Sequence, residues 1–475
     1  MNPHDTICAI ATAHGGAISI IRISGENAFS IADQLFFPTK KNTSLAQQAG
    51  YTLSHGNIKD EAGNIIDEVL ASVFHAPHSY TGEDSVEFMC HDSKYILDTV
   101  IRLLLQKGCR MAAPGEYTQR AFLNGKMDLS QAEAVAEVIT ASSAAAHRVA
   151  MNQMRGGFSR DLNRLREQLL KLTALMELEL DFSDHEELEF ADRTELSELT
   201  EEIKKTIGQL TDSFQLGNAL KDGIPVAIVG ETNAGKSTLL NALLNEEKAI
   251  VSEIHGTTRD VIEDVLRIGD TCFRFIDTAG IRQTTDQIEN LGIERSFQAI
   301  DKAQIILLTF DAQQGKDTFP AFFNQILPHL NGKKIVIVQN KCDKIANADS
   351  AATEIPLPDS IQQLLKESLP EWEVISISAL HKQNIEQLKQ LLVDLSGIAA
   401  IHTGETIVTN ARHYEALSHA YEAICRVAEG LDTQIPNDLI AQDLRECLHH
   451  LAEIAGEITT DSVLSHIFSH FCIGK

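Results

Sequence analysis

What this 475-residue chain lacks narrows its class first. It has no C-x-x-C pair: the cysteines at 8, 90, 109, 272, 342, 425, 447 and 472 are scattered, which fits neither a disulfide framework nor a zinc site and suits a reducing compartment. Long apolar runs are missing too, and stretches such as IILLTF (305–310) are far too short to span a bilayer. The N-terminal MNPHDTICAIA lacks a basic region followed by an apolar one, so a cytoplasmic protein with no membrane span is expected. Positive charge is scarce, with 40 Lys and Arg against 67 Asp and Glu and a net charge of −27. Such a field repels polyanions; it excludes non-specific coating of nucleic acid and leaves RNA contact to a local basic patch or a partner. The densest acidic stretch, 176–202, reads as a solvated helix face.

With 43% apolar and 23% charged residues the composition is that of a globular protein. At roughly 100 to 200 residues per domain, the length predicts two to four domains. Residues 5–120 mix β-branched runs (AISIIRIS, YTLSHGNI, EVLASVF) with loop signals and predict a small α/β domain. Over 129–212 apolar residues recur every three and four positions, so LSQAEAVAEVITASSAAAHRVAMNQM and FSRDLNRLREQLLKLTALMELELDF both read as long amphipathic helices. A second helical block covers about 410–460, and the two blocks are expected to cover each other's apolar stripes.

Between them the strands IPVAIVG, CFRFIDTAG, AQIILLTF, KKIVIVQNKCD and EVISISA alternate with helices, predicting a mainly parallel sheet. The expected architecture is thus multidomain, α/β plus all-α. An N-terminal domain spans 1–120, a helical domain is made of 121–216 and 397–475, and a phosphate-loop domain is inserted at 217–396.

The chemistry concentrates in that insert. GETNAGKS, Gly230 to Ser237, follows one strand and opens a helix, the context a phosphate loop requires. Backbone N–H groups close on phosphates, Lys236 neutralises β/γ charge and the Ser237 hydroxyl is offered to Mg²⁺. Asp277, Thr278, Ala279 and Gly280 emerge at a strand end, where a carboxylate can hold the magnesium shell and Gly280 can approach the γ-phosphate. IVIVQNKCD ends in Asn340, Lys341 and Asp343; a carboxylate at Asp343 accepts from guanine N1 and N2 hydrogens, which selects GTP over ATP. Ser378, Ala379 and Leu380 after strand EVISI would complete the base pocket. HGTTRD (255–260) carries two hydroxyls that could reach Mg²⁺ and the γ-phosphate, and is the natural switch. Ras-like enzymes orient the attacking water with a Gln just after DTAG, but Ile281 stands there and can neither donate nor accept a hydrogen bond. Asp286, Glu289 and Glu294 are open as replacements.

The ordered set GETNAGKS, HGTTRD, DTAGIR and NKCD, with PGEYTQRAFLNGKMDLSQAEAV before it and FCIGK after it, resembles the MnmE (TrmE) family of tRNA-modification GTPases over essentially the whole chain. The resemblance implies a folate-binding, dimerising N-terminal domain, a two-segment helical domain and an inserted G domain. It implies a homodimer and a partner, the FAD- and NADH-dependent MnmG (GidA), the two proteins forming a heterotetramer. Together these would place an aminomethyl or carboxymethylaminomethyl group on C5 of the wobble uridine of certain tRNAs, the implied folate being 5,10-methylenetetrahydrofolate, the carbon source, or 5-formyltetrahydrofolate.

By resemblance GTP contacts also include Asn233, Ala234, Gly235, Thr238, Ser252, Glu253, Ile254, His255, Gly256, Thr257 and Thr258. Potassium falls to Asn233, Ser252, Ile254 and Thr257, and Mg²⁺ to Ser237 and Thr258. Glu289 becomes the water-orienting glutamate. Arg22, Glu87, Lys126 and Lys475 match the folate-binding positions, and Cys472 is implied as a functional thiol; Gly474 and Lys475 break a prenylation box. Two departures fall in the N-terminal domain: AHGGAIS (13–19) replaces a longer glycine-rich loop, and CHDS (90–93) replaces CHGG. The alternatives are an Era-type ribosome-assembly switch, which predicts a basic RNA-binding appendage that the sequence lacks, and a folate-dependent aminomethyltransferase that GTP only regulates.

Overall fold

A computed structural model describes residues 5–39, 44–181, 193–244, 264–276, 297–313, 318–345, 356–397, 406–433, 435–471 and 474. They form two compact units, one of residues 1–140, 150–207 and 416–475, the other of 141–149 and 208–415. Among the described residues no helix is long and apolar enough to cross a membrane.

The first unit is built on a seven-stranded sheet of β1 (Ile7–Ile10), β2 (Ile18–Ser24), β3 (Phe36–Pro38), β4 (Thr52–Lys59), β5 (Ile65–Phe74), β6 (Ser85–His91) and β7 (Arg110–Met111), in the order β3-β4-β5-β6-β2-β1-β7. All neighbours are antiparallel except β1 and β7. Alternation puts Ile21, Ile23, Val69, Ala71, Val86 and Phe88 into a core with helices Ala28–Leu35 and Lys94–Gln106. Register sets Arg22 directly opposite Glu87 across β2 and β6.

The helical part of this unit follows the three-and-four spacing. Leu162, Leu165, Leu169, Leu172 and Met176 are all buried along helix Gly157–Asp181, which packs against helix Asn437–Ala455 through that helix's own buried stripe. One expected helix is two. The stretch from 129 divides into Leu129–Thr140 and Ala144–Met154, because the Ser143 hydroxyl accepts the Ala146 N–H at 3.0 Å and so caps a new helix.

The second unit contains β8 (Ile224–Gly230), β9 (Asp264–Ile268), β10 (Thr271–Phe275), β11 (Ile305–Asp311), β12 (Lys334–Asn340) and β13 (Glu373–Ser376), in the order β13-β12-β11-β8-β10-β9. Every neighbouring pair is parallel except the β9–β10 hairpin, whose first strand the sequence pattern did not reveal. Continuous burial along β8, β11 and β12 is what a sheet covered on both faces requires.

A buried charge network braces the first unit. Glu116, 2% exposed, accepts from Arg110 Nη2 at 2.7 Å, Arg120 Nη2 at 3.0 Å and the Ala113 N–H at 2.8 Å. Arg120 also donates to the Asp5 carbonyl and to Glu83. Burial pushes the Glu116 carboxyl up, but the Arg110, Ala113 and Arg120 donors outweigh it and hold the pKa below the ordinary glutamate value. A depressed folded-state pKa stabilises above the unfolded value and loses that contribution as pH falls through the folded one. Glu116→Gln should therefore destabilise this unit by about 3 kcal/mol at neutral pH. Calorimetric unfolding should show the difference from wild type shrinking as pH falls below the glutamate range.

Candidate functional site

The phosphate-loop residues leave β8 at Gly230 and enter helix Lys236–Leu244, with Ser237 and Thr238 in its first turn. Lys236 Nζ donates to the carbonyls of Gly230 at 2.6 Å and Glu231 at 2.7 Å, arching back over the loop. Burial lowers its pKa, opposed by the Glu231 carboxylate, so the ammonium is a desolvated cation suited to a polyphosphate.

Asn340, at the end of β12 and 1% exposed, ties three loops together. Its Nδ2 donates to the Ala234 carbonyl at 2.9 Å, and its Oδ1 accepts the N–H groups of Lys341 at 2.8 Å and Ala379 at 3.1 Å. Lys341 adopts a left-handed backbone, φ 64°, and its Nζ reaches the Asn233 carbonyl at 2.6 Å and Asp311 Oδ2 at 2.8 Å. Ser378 Oγ donates to Asp343 Oδ1 at 2.5 Å, which fixes the carboxylate at the mouth of the base loop. His381 Nε2 lies 3.8 Å from the other carboxylate oxygen, Oδ2. Leu380 is exposed.

The structure thus gathers Asn233, Ala234, Gly235, Lys236, Asn340, Lys341, Asp343, Ser378 and Ala379 at the carboxyl ends of parallel strands, where α/β sheets place ligands. Ser252 to Thr258, Asp277 to Gly280, Asp286, Glu289 and Glu294 lie outside the described residues. Asp311 was missed by motif reading; its signal is its place at the carboxyl end of the apolar run IILLTF.

A second constellation lies in the first unit. Arg22 Nε donates to Glu87 Oε1 at 2.7 Å and Nη1 to the Gly474 carbonyl at 3.3 Å. Gly474 has φ 95°, and a Cβ there would sit 2.5 Å from the Ile10 carbonyl oxygen, so only glycine brings the tail this close. The rings of Tyr80 and Tyr117, neither foreseen, stand 5.6 and 5.5 Å from the guanidinium carbon. Burial raises both phenols, which stay protonated, and Tyr117 Oη donates to the Arg22 carbonyl at 2.9 Å. Lys126 Nζ donates to the Pro77 carbonyl of the loop carrying Tyr80. Cys472 and Lys475 lie outside the described residues.

The two departures meet each other. Asp92 of CHDS accepts the Gly15 N–H at 2.8 Å and the Ser19 hydroxyl at 2.8 Å, and pairs with His14 at 3.3 Å. The Ser19 hydroxyl first, and then the Gly15 N–H, hold its carboxyl below the ordinary aspartate range. A carboxylate absent from CHGG therefore ties down the shortened loop.

Comparison with known proteins covers nearly the whole chain. Residues 129–472 match the family model for the MnmE helical domain, and residues 6–126 that for the GTP-binding protein TrmE N-terminus. The chain is 57% identical over 471 residues to the tRNA modification GTPase MnmE of Parabacteroides distasonis, covering 99% of this chain and 100% of that protein. It is 54% identical over 472 residues to the protein of the same name from Bacteroides thetaiotaomicron, covering 99% of each. Among solved structures, a variant of Aquifex aeolicus Era bound to GDP and AlF4⁻ is 28% identical, with a TM-score of 0.27 over 42% of this chain and 65% of that one.

Gly235 has φ 90°, and a Cβ there would lie 2.3 Å from Asn340 Nδ2. Gly235→Ala should displace the Asn340 bridge and lower affinity for a fluorescent guanine nucleotide by at least about tenfold, from left-handed strain and the lost hydrogen bond together. Fluorescence titration measures this, with the melting temperature followed in parallel.

Proposed function

The chain belongs to the MnmE (TrmE) family of tRNA modification GTPases, and we propose that it hydrolyses GTP while modifying C5 of the wobble uridine of certain tRNAs. The observation that carries the nucleotide reading is the Asn340 bridge, which joins a phosphate loop to a base loop presenting Asp343. Lys236 exchanges loop carbonyls for phosphate oxygens. Asp343, steadied by Ser378, accepts from guanine N–H groups. Ser237 and Asn233 supply hydroxyl and amide oxygens, hard donors that fit Mg²⁺ and K⁺ respectively; Thr258, Ser252, Ile254 and Thr257 are assigned to the same two ions. Bound there, the cations supply positive charge to the β/γ-phosphate oxygens, the work an arginine finger does elsewhere. Glu289 orients the water that Ile281 cannot.

The modification reading adds a folate site. Arg22 and Glu87 form a donor and acceptor pair suited to the carboxylates and N–H groups of a reduced folate, with Lys126 and Lys475 as further cations. The domain boundaries are placed at 1–120, 121–216, 217–396 and 397–475. The chain acts in the cytoplasm as a homodimer, in a heterotetramer with the FAD- and NADH-using MnmG, and adds an aminomethyl or carboxymethylaminomethyl group.

GTP hydrolysis in K⁺ against Na⁺ at matched ionic strength tests the cation mechanism. Strong acceleration by K⁺, lost in Glu289→Ala, is expected; equal rates in the two salts would sink it and favour an Era-type switch. Carbon-labelled methylenetetrahydrofolate should label tRNA only when this chain and MnmG are both present. Cys472→Ser should abolish labelling without changing the GTPase rate, whereas intact labelling would make that thiol a packing residue.

A further inference from the structure

Both aromatic rings beside Arg22 are supported by one short helix. Tyr117 stands on helix Glu116–Leu123, is fully buried with Ile7, Ala9 and Ala112, and hydrogen-bonds the Arg22 carbonyl. Tyr80 comes from the loop between β5 and β6, yet its hydroxyl is tied at 2.8 Å to that of Thr118, the next residue of the same helix. Both rings therefore reach the guanidinium from a common support. The support is itself fixed by the Glu116 network at its first turn.

An unbraced arginine has many side-chain rotamers to lose when a ligand orders it. Here Nε is committed to Glu87 and Nη1 to Gly474, while two aromatic rings restrict the rest of the group. Among the described residues Nη2 has no hydrogen-bond partner. The arrangement holds one end of the guanidinium ready to donate, and it lowers the ordering cost that binding would otherwise carry.

We infer that Tyr80 and Tyr117 are positioning residues for Arg22, holding its guanidinium to donate to a carboxylate or carbonyl of the bound ligand. The inference rests on the folate reading of this site and deepens it. Thr118 serves by fixing Tyr80. Tyr80 is the better handle for a test because it is 38% exposed, whereas Tyr117 is fully buried and its truncation would open a cavity.

The test is calorimetric titration of the full-length protein with 5-formyltetrahydrofolate, comparing Tyr80→Leu, Tyr80→Phe and Arg22→Gln with wild type. Tyr80→Leu removes the aromatic face and should weaken binding roughly fivefold to tenfold. Tyr80→Phe keeps the ring and should stay within about threefold of wild type, the hydroxyl tie to Thr118 being its only loss. GTP hydrolysis should be unchanged in both, and the melting temperature should fall by no more than a few degrees, leaving the protein fully folded at the temperature of titration.

In the Arg22→Gln background Tyr80→Leu should have no further effect, since the ring acts through the arginine. A full Tyr80→Leu effect persisting there would mean that the ring touches the ligand itself, and would overturn the inference. So would wild-type affinity in Tyr80→Leu combined with loss of binding in Arg22→Gln, which leaves the folate reading standing. No binding by wild type would overturn the folate reading and this inference together.

Discussion

Everything the second unit offers a nucleotide depends on the side chain of one buried asparagine. Asn340 spends its amide on three backbone groups from three segments far apart in sequence. A buried amide left without partners costs about 1 to 3 kcal/mol, so these loops are held together by the penalty of separating them as much as by attraction. Lys341 repeats the logic one residue later, crossing from its own loop to Asn233 and to Asp311. The strand β12 thus works as a post from which both the phosphate loop and the base loop are hung.

The first unit reaches similar rigidity by charge. Its helix Glu116–Leu123 is only eight residues long, too short to be stable by propensity, and is held instead by ion pairs at its first turn and by its contacts with helix Asp461–Ser469. Once fixed, it can serve as a reference surface for the tyrosines beside Arg22. A soluble helix face could not do this. Nor could a loop alone.

How much of this was legible in the sequence depended on the range of the interaction. The phosphate loop could be read because strand, glycines, lysine and helix are contiguous from Ile224 to Leu244. The two helical blocks could be paired because a three-and-four apolar spacing cannot remain bare in water. What escaped was set by contacts across space. The pairing of Asp311 with Lys341 needs β11 beside β12, and the place of Tyr80 needs β2 and β6 to bring Arg22 and Glu87 together. The break at Ser143 was local, but there the apolar period continued through it and hid a capping hydroxyl. The departures AHGGAIS and CHDS stand about 70 residues apart in sequence; the hydrogen bonds from Gly15 and Ser19 to Asp92 join them into one change.

The Arg22 constellation also has a history in time. Its guanidinium is completed by the carbonyl of Gly474, 452 residues further along the chain. At a synthesis rate of roughly 5 to 20 residues per second, β2 leaves the ribosome some tens of seconds before its last partner exists. The nucleotide loops close within a continuous segment and are finished far earlier. A nascent chain halted after residue 415 would therefore carry every described element of the second unit while the Arg22 site still lacked its tail. The Arg22–Gly474 contact therefore closes only after the strands and loops that hold the nucleotide have been made.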